Sequence, residues 1–124
     1  MKKKILISIQ PTHVQNILSG IKKYEYRKAV AKQEVSSLLI YETTHIMKVV
    51  AEVDVLDIVA APPADLWNQT KESSGISKEF FDNYFKGREV AYAYKLGKIR
   101  IFKRPKSLGD YGIKHAPQSF LYVQ

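Results

Sequence analysis

The chain has 124 residues and a mass of 14.2 kDa, room for one domain that buries about two-thirds of its unfolded surface and none for a second catalytic lobe. Hydrophobic residues at 45% and charged residues at 26% exclude a disordered chain, and the lack of cysteine excludes disulfides, thiolate nucleophiles and Cys-ligated metal centres. The net charge of +8 is segmental: residues 1–33 hold eight Lys or Arg against one Glu, residues 34–85 three against nine acidic residues, and residues 86–124 nine against two. If the two basic ends meet in space, one face becomes strongly positive, as a phosphate-bearing partner requires; otherwise the charge only solubilises the surface.

The start, Met1 to Ile9, imitates the basic and apolar parts of an export signal, but the apolar stretch stops at Gln10-Pro11, too short for one. We expect a cytoplasmic protein that begins with a strand over Lys4 to Ile9. No apolar run reaches the ~18–20 residues of a membrane span. Pro11 suits the first turn of a helix that puts Val14, Ile17 and Leu18 on one face, with Gly20 just past its end. Lys23 to Arg27 alternates, so Tyr24 and Tyr26 face one way and Lys23, Glu25 and Arg27 the other. Ser37 to Glu42 is apolar without alternation, which predicts a central strand covered on both sides. In Lys48 to Val59 the apolar phase switches after Val55, predicting a bulge or bend.

Pro62-Pro63 opens a helix carrying Leu66, Trp67 and Thr70 and closing near Ser74-Gly75. Ser77 caps a second helix, whose Phe80, Phe81, Tyr84 and Phe85 have helical spacing and are expected in the core, with Gly87 past its end. Val90 to Lys95 and Lys98 to Lys103 read as a hairpin turning at Gly97-Lys98, stopped by Pro105. A loop over Ser107 to Gly112 and Pro117-Gln118-Ser119 leads to a last short strand, Phe120 to Val123. Helices do not alternate one for one with strands, so the expected class is α+β: a small, mostly antiparallel β-barrel of about six strands with short helices on its rim.

No phosphate-binding glycine loop, nucleophile elbow or metal-ligand spacing occurs, so no metal and no cofactor is expected, and His13, His45 and His115 read as surface imidazoles. The densest group of functional side chains is Gly20-Ile-Lys22-Lys23-Tyr24-Glu25-Tyr26-Arg27. A glycine turn before a strand brings Lys22 to the entrance of the face bearing Glu25 and Arg27, two cationic donors and one carboxylate acceptor in a small space. The plain alternative is a surface Glu25–Arg27 ion pair beside a solvated lysine.

These residues match the GxKxxExR pattern of the ASCH domain, a branch of the PUA-like superfamily, at Gly20, Lys22, Glu25 and Arg27. The run ILISIQPTHVQNILSG resembles that family's first strand and helix, and the ending PQSFLYV resembles endings of its stand-alone members. The resemblance covers essentially the whole chain. It implies a small PUA-like barrel with a cleft that receives Lys22, Glu25 and Arg27, and a role in binding RNA or a nucleotide. Some similar proteins remove the acetyl group from N4-acetylcytidine, with the motif lysine and a threonine three residues later as the proposed catalytic pair. Here Glu25 stands where that threonine would be, which removes the hydroxyl.

Tyr41, Thr43 and Thr44 after the central strand, Lys48, and Gln118 with Ser119 are candidates to line the same cleft, as stacking, hydroxyl and amide groups. Each also has an ordinary structural reading as core filler, turn or loop residue. Glu52 is read as a solvent-facing carboxylate, with a place in the cleft as the alternative. Three functions compete. The first is an RNA-binding module using Lys22, Lys23, Glu25 and Arg27. The second is a metal-independent hydrolase of a modified nucleoside or of RNA, in which Lys22 serves as a base if burial or Arg27 lowers its pKa and Glu25 relays a proton, while Glu25 beside Lys22 raises the lysine pKa and opposes that role. The third is a regulatory domain sensing a small anionic ligand. A partner of RNA or nucleotide type is expected, and the oligomeric state, monomer or weak homodimer, stays open.

Overall fold

A computed structural model describes residues 2–123. The elements run β1 (Lys3–Ile9), α1 (Pro11–Leu18), β2 (Tyr24–Arg27), β3 (Val35–Glu42), β4 (Lys48–Ala61), α2 (Pro63–Thr70), a 3-10 turn (Lys71–Ser73), α3 (Lys78–Tyr84), β5 (Ala91–Lys106), a second 3-10 turn (Leu108–Tyr111) and β6 (Phe120–Val123). The six strands form one sheet in the order β2-β5-β4-β3-β1-β6. Only β1 and β3 run parallel; the other neighbours are antiparallel. The fold is thus α+β and mostly antiparallel, as its strand and helix pattern predicts.

The barrel-like sheet is not closed into a full ring. Among the described residues the ladder ends at β2 and β6, which do not pair. The sheet nevertheless curls until side chains bridge its edges. Nη2 of Arg27 on β2 donates to the carbonyl of Ser8 on β1 at 2.8 Å. In the segment after β2, the backbone N–H groups of Lys32 and Gln33 donate to the hydroxyl of Tyr122 on β6.

The expected hairpin at Gly97-Lys98 is also corrected, since β5 passes through both residues as one continuous strand along β4. Gly97 serves a close approach there: a Cβ on it would sit 2.8 Å from Cδ2 of Leu56 on the bulged part of β4. The register shifts between Val53, Val55 and Asp57 are the bend that the change of apolar phase predicts. Pro105 lies inside β5 and does not stop it. Beyond Lys95 the strand has β4 on one side and no partner in β2 on the other, so a missing N–H is tolerated.

Strands β1 and β3 are buried on both faces. Ile5, Ile7, Leu38 and Ile40 point into the interior with Val14 and Ile17 of α1, while Leu6, Leu39 and Tyr41 face an outer cluster covered by Phe102, Leu108 and Tyr111. A third cluster packs Leu66 of α2 and Phe81 and Phe85 of α3 on Tyr26, Ala91 and Ala93. At about 1.5–3 kcal/mol for each fully buried large apolar side chain, these clusters supply the main stabilisation. Ser77 caps α3 as expected, accepting from the N–H of Phe80 at 3.0 Å.

The acidic middle of the chain is not set apart from the basic ends. Glu52 on β4 lies 3.1 Å from Lys4 and 3.2 Å from Arg100, and Asp54 lies 2.8 Å from Arg100. Part of the terminal positive charge is therefore neutralised across the sheet.

Candidate functional site

The chain leaving α1 turns at Gly20 and is then clamped from two sides. The N–H of Lys22 donates to the carbonyl of Asn16 at 2.9 Å, and that of Lys23 to Ser73 at 2.9 Å. Gly75, at a φ of +67°, lies against the same stretch; a Cβ there would come within 2.8 Å of the Cα of Lys22. The Lys22 side chain is thereby directed inward and is only 3% exposed. Its Nζ donates to the Ser74 carbonyl at 3.2 Å, lies 3.9 Å from Oε1 of Glu25 and sits 4.7 Å above the Tyr26 ring.

Strand alternation puts Glu25 and Arg27 on one face of β2. Nε and Nη2 of Arg27 approach Oε2 of Glu25 at 3.0 and 2.8 Å, and Nη2 also reaches Ser8. These contacts are not the solvated surface pair of the plain reading, because Glu25 is only 5% exposed. Together Lys22, Glu25 and Arg27 line a pocket of about 350 Å³, completed by Ser8 and Gln10 at the end of β1, His13 of α1, and Phe80 and Tyr84 of α3.

Burial lowers the pKa of Lys22 from 10.5 to about 8, with Arg27 pushing the same way and Glu25 opposing. Of the opposing influences expected on Lys22, the lowering by burial and Arg27 outweighs the raising by Glu25, for a geometric reason. The carboxylate is taken by the closer Arg27, and desolvation outweighs what attraction to Lys22 remains.

This shift gives stability a definite pH dependence. Between about pH 8 and the usual lysine value near 10.5, the unfolded chain keeps a proton on this residue that the folded protein has lost. Stability therefore rises with pH across that interval. Burial pushes the Tyr26 hydroxyl up to about 12, so above about pH 10 the unfolded chain ionises first and stability falls again. Denaturant unfolding is expected to show a gain of about 2–3 kcal/mol from pH 7 to pH 10. Lys22→Met should flatten it, and a flat wild-type profile would show that Lys22 keeps its ordinary pKa.

The other candidates lie elsewhere. Lys23 is exposed and borders a second hollow with Tyr24, Leu56 and Lys95. Tyr41 is 4% exposed in the outer apolar cluster, as core filler. Thr43 bonds the carbonyl of Ile9 through its N–H and hydroxyl, and Thr44 holds a φ of +66° in the turn to β4, so both act as turn residues. Lys48 is exposed at the start of β4. Gln118 and Ser119 do not line the pocket but adjoin it: Ser8 donates through its hydroxyl to Pro117 and through its N–H to the Ser119 carbonyl. Glu52 lies in neither place expected of it. Burial alone would raise its pKa, but the Ser37 hydroxyl at 2.6 Å, then Lys4 and Arg100, hold it below the usual carboxylate range.

Besides Ser8 and Gln10, three pocket residues on the helices were not legible as such. His13 is no surface imidazole: its Nδ1 is buried with no hydrogen-bond partner among the described residues. Phe80, expected in the core, is 47% exposed at the pocket, and Tyr84 lines it beside the core residue Phe85. The signal available was weak, because Phe80 and Tyr84 are four apart and share a helix face offset from that of Phe81 and Phe85.

A model of the ASCH domain matches residues 7–100, the stretch that contains the whole pocket motif. The chain belongs to the ASCH domain family. The crystal structure of ASCH from Zymomonas mobilis superposes with a TM-score of 0.88 at 26% identity, over 98% of this chain and 88% of that one. By sequence, an ASCH domain-containing ribonuclease of Zymomonas mobilis is 28% identical over 96 residues, covering 77% of this chain and 65% of the relative. The ATP synthase subunit alpha and the large ribosomal subunit protein uL22 of Ureaplasma parvum are 30% and 28% identical over 99% and 97% of this chain. This ASCH chain spans only 16% and 39% of the length of those two proteins. Among the described residues, no helix is long and apolar enough to cross a membrane.

Proposed function

We propose that this ASCH domain binds RNA and that the pocket lined by Lys22, Glu25 and Arg27 receives one nucleotide of it. The observation that carries the reading is the convergence of two cations and one carboxylate on a shared hollow, leaving one positive charge in excess. A phosphodiester carries one negative charge and takes charge-assisted bonds from lysine and arginine. The ribonuclease among the relatives is named for work on RNA, which supports the same class of ligand. Lys28 beside Tyr84 and the exposed Lys23 extend the positive charge outside the pocket for neighbouring phosphates.

Fluorescence anisotropy with short single-stranded RNAs tests this. Affinity is expected to fall steeply as salt rises, and Lys22→Ala should weaken binding about tenfold, as loss of a charge-assisted bond of about 1.5 kcal/mol does. No binding at low salt, or binding indifferent to salt and to Lys22, would refute the reading. If instead mononucleotides alone raised the melting temperature, the domain would be a small-ligand sensor.

A second reading, cleavage of the bound RNA, is favoured by Lys22, whose amine is a usable base near neutral pH. A neutral Lys22 would take the proton of a 2′-hydroxyl. The 2′-oxygen would attack the adjacent phosphorus, the bond to the 5′-oxygen would break, and water would protonate the leaving group. In the same RNA samples, cleavage that accelerates towards pH 8 and vanishes in Lys22→Ala supports this step. Intact RNA at every pH leaves binding alone, and N4-acetylcytidine as a further substrate tests amide hydrolysis without the threonine hydroxyl.

A further inference from the structure

The pocket has two unlike walls. Lys22, Glu25 and Arg27 form one; Phe80, Tyr84 and His13 from α3 and α1 form the other. Phe80 and Tyr84 are nearly parallel, with ring planes 9° apart, and His13 meets Phe80 edge-on with centroids 5.3 Å apart. An aromatic ring that is half exposed in a concave site is unusual for a residue with helical core spacing, and it offers a flat apolar face to whatever enters.

His13 adds a directional group. Its Nδ1 is sealed off with no acceptor nearby among the described residues, so a hydrogen on that atom would be buried and unpaired. The ring is therefore favoured as the neutral tautomer with its hydrogen on Nε2, the ring nitrogen left accessible to the pocket. Burial, and then the charge of Lys22, lower the histidine pKa and support the neutral ring. The aromatic wall thus presents the half-exposed Phe80 ring and one N–H donor, with the Lys28 ammonium over the Tyr84 ring at 4.9 Å, while the opposite wall presents cations.

We propose that the pocket takes a single unpaired nucleobase, stacked on the Phe80–Tyr84 wall and accepting a hydrogen bond from Nε2 of His13, with its phosphate towards Lys22 and Arg27. This rests on the RNA-binding reading and narrows it to single-stranded or extruded nucleotides. A base inside a duplex presents its edges to the grooves and keeps its faces covered by neighbouring bases, so it cannot offer a face to Phe80. The pocket volume, near the lower end of the roughly 300–1,000 Å³ usual for ligand sites, suits one nucleotide.

The experiment uses the full chain and an RNA carrying 2-aminopurine, as a single strand and as a duplex. The single strand should bind with a change in 2-aminopurine fluorescence as the base leaves its neighbours for the pocket, and the duplex should compete poorly. Phe80→Ala, which leaves the buried Phe81 and Phe85 in place, should abolish that change and weaken binding roughly tenfold. His13→Ala should also weaken binding, and His13→Gln, whose amide nitrogen can stand in for Nε2, should recover most of it. Equal affinity for both RNA forms with no effect of Phe80→Ala would overturn the stacking proposal while Lys22-dependent binding stands. No RNA binding by the wild type would overturn both.

Discussion

Replacing Arg27 with alanine is expected to lower the unfolding free energy by about 3–5 kcal/mol, the cost of leaving one buried charge without its partner. Glu25 is 5% exposed and its Oε2 depends on Nε and Nη2 of Arg27, whereas Lys22 lies farther away at 3.9 Å. The same change removes the bond to the Ser8 carbonyl that links β2 to β1. A second effect follows in the opposite electrostatic direction. With Arg27 gone, its repulsion of Lys22 disappears and Glu25 is free to turn to the ammonium, so the lysine pKa should move up from about 8. Denaturant unfolding at pH 7 checks the first effect, and NMR titration of the lysine side chain the second. Arg27→Lys should fall between, since an ammonium cannot reproduce the forked contacts. A loss below about 1 kcal/mol would mean that the pair behaves as a surface ion pair.

Gly75→Ala is expected to destabilise the protein by more than about 2 kcal/mol and to weaken RNA binding at least as much as Lys22→Ala. Two costs combine: a side chain at a φ of +67°, and a collision with the backbone of Lys22, which is itself tied to Asn16. Gly75→Asn separates them, because asparagine tolerates the left-handed backbone but still carries a Cβ. If the asparagine variant is as damaged as the alanine one, the close approach is the cause. If it behaves like wild type, backbone conformation alone required the glycine and Lys22 has room to move.

How much of this was readable in advance depended on the range of the information. The charged face of β2 was legible because alternation is local: Glu25 and Arg27 are two apart in an extended segment, and Gly20 announces the turn before Lys22. The strong β3 and the bend in β4 were legible for the same reason. Gly75 was read only as a helix terminator, although its second role is contact with a lysine 53 positions earlier in the chain. Gly97 was misread as a hairpin turn because small size serves a close approach to Leu56 as well as it serves a turn. His13 and Phe80 show the limit of periodicity, which says which residues share a helix face but not whether that face meets core or hollow.

Arg27 fastens a gap that the strand ladder leaves unbridged, and it does so from inside the hollow proposed to receive the nucleotide. Any redesign that strips this hollow of charge would also unbutton the wall around it. Loss of affinity in such variants is therefore informative only when an independent clasp, such as an apolar pair spanning the two strands, has first been installed to keep the wall shut.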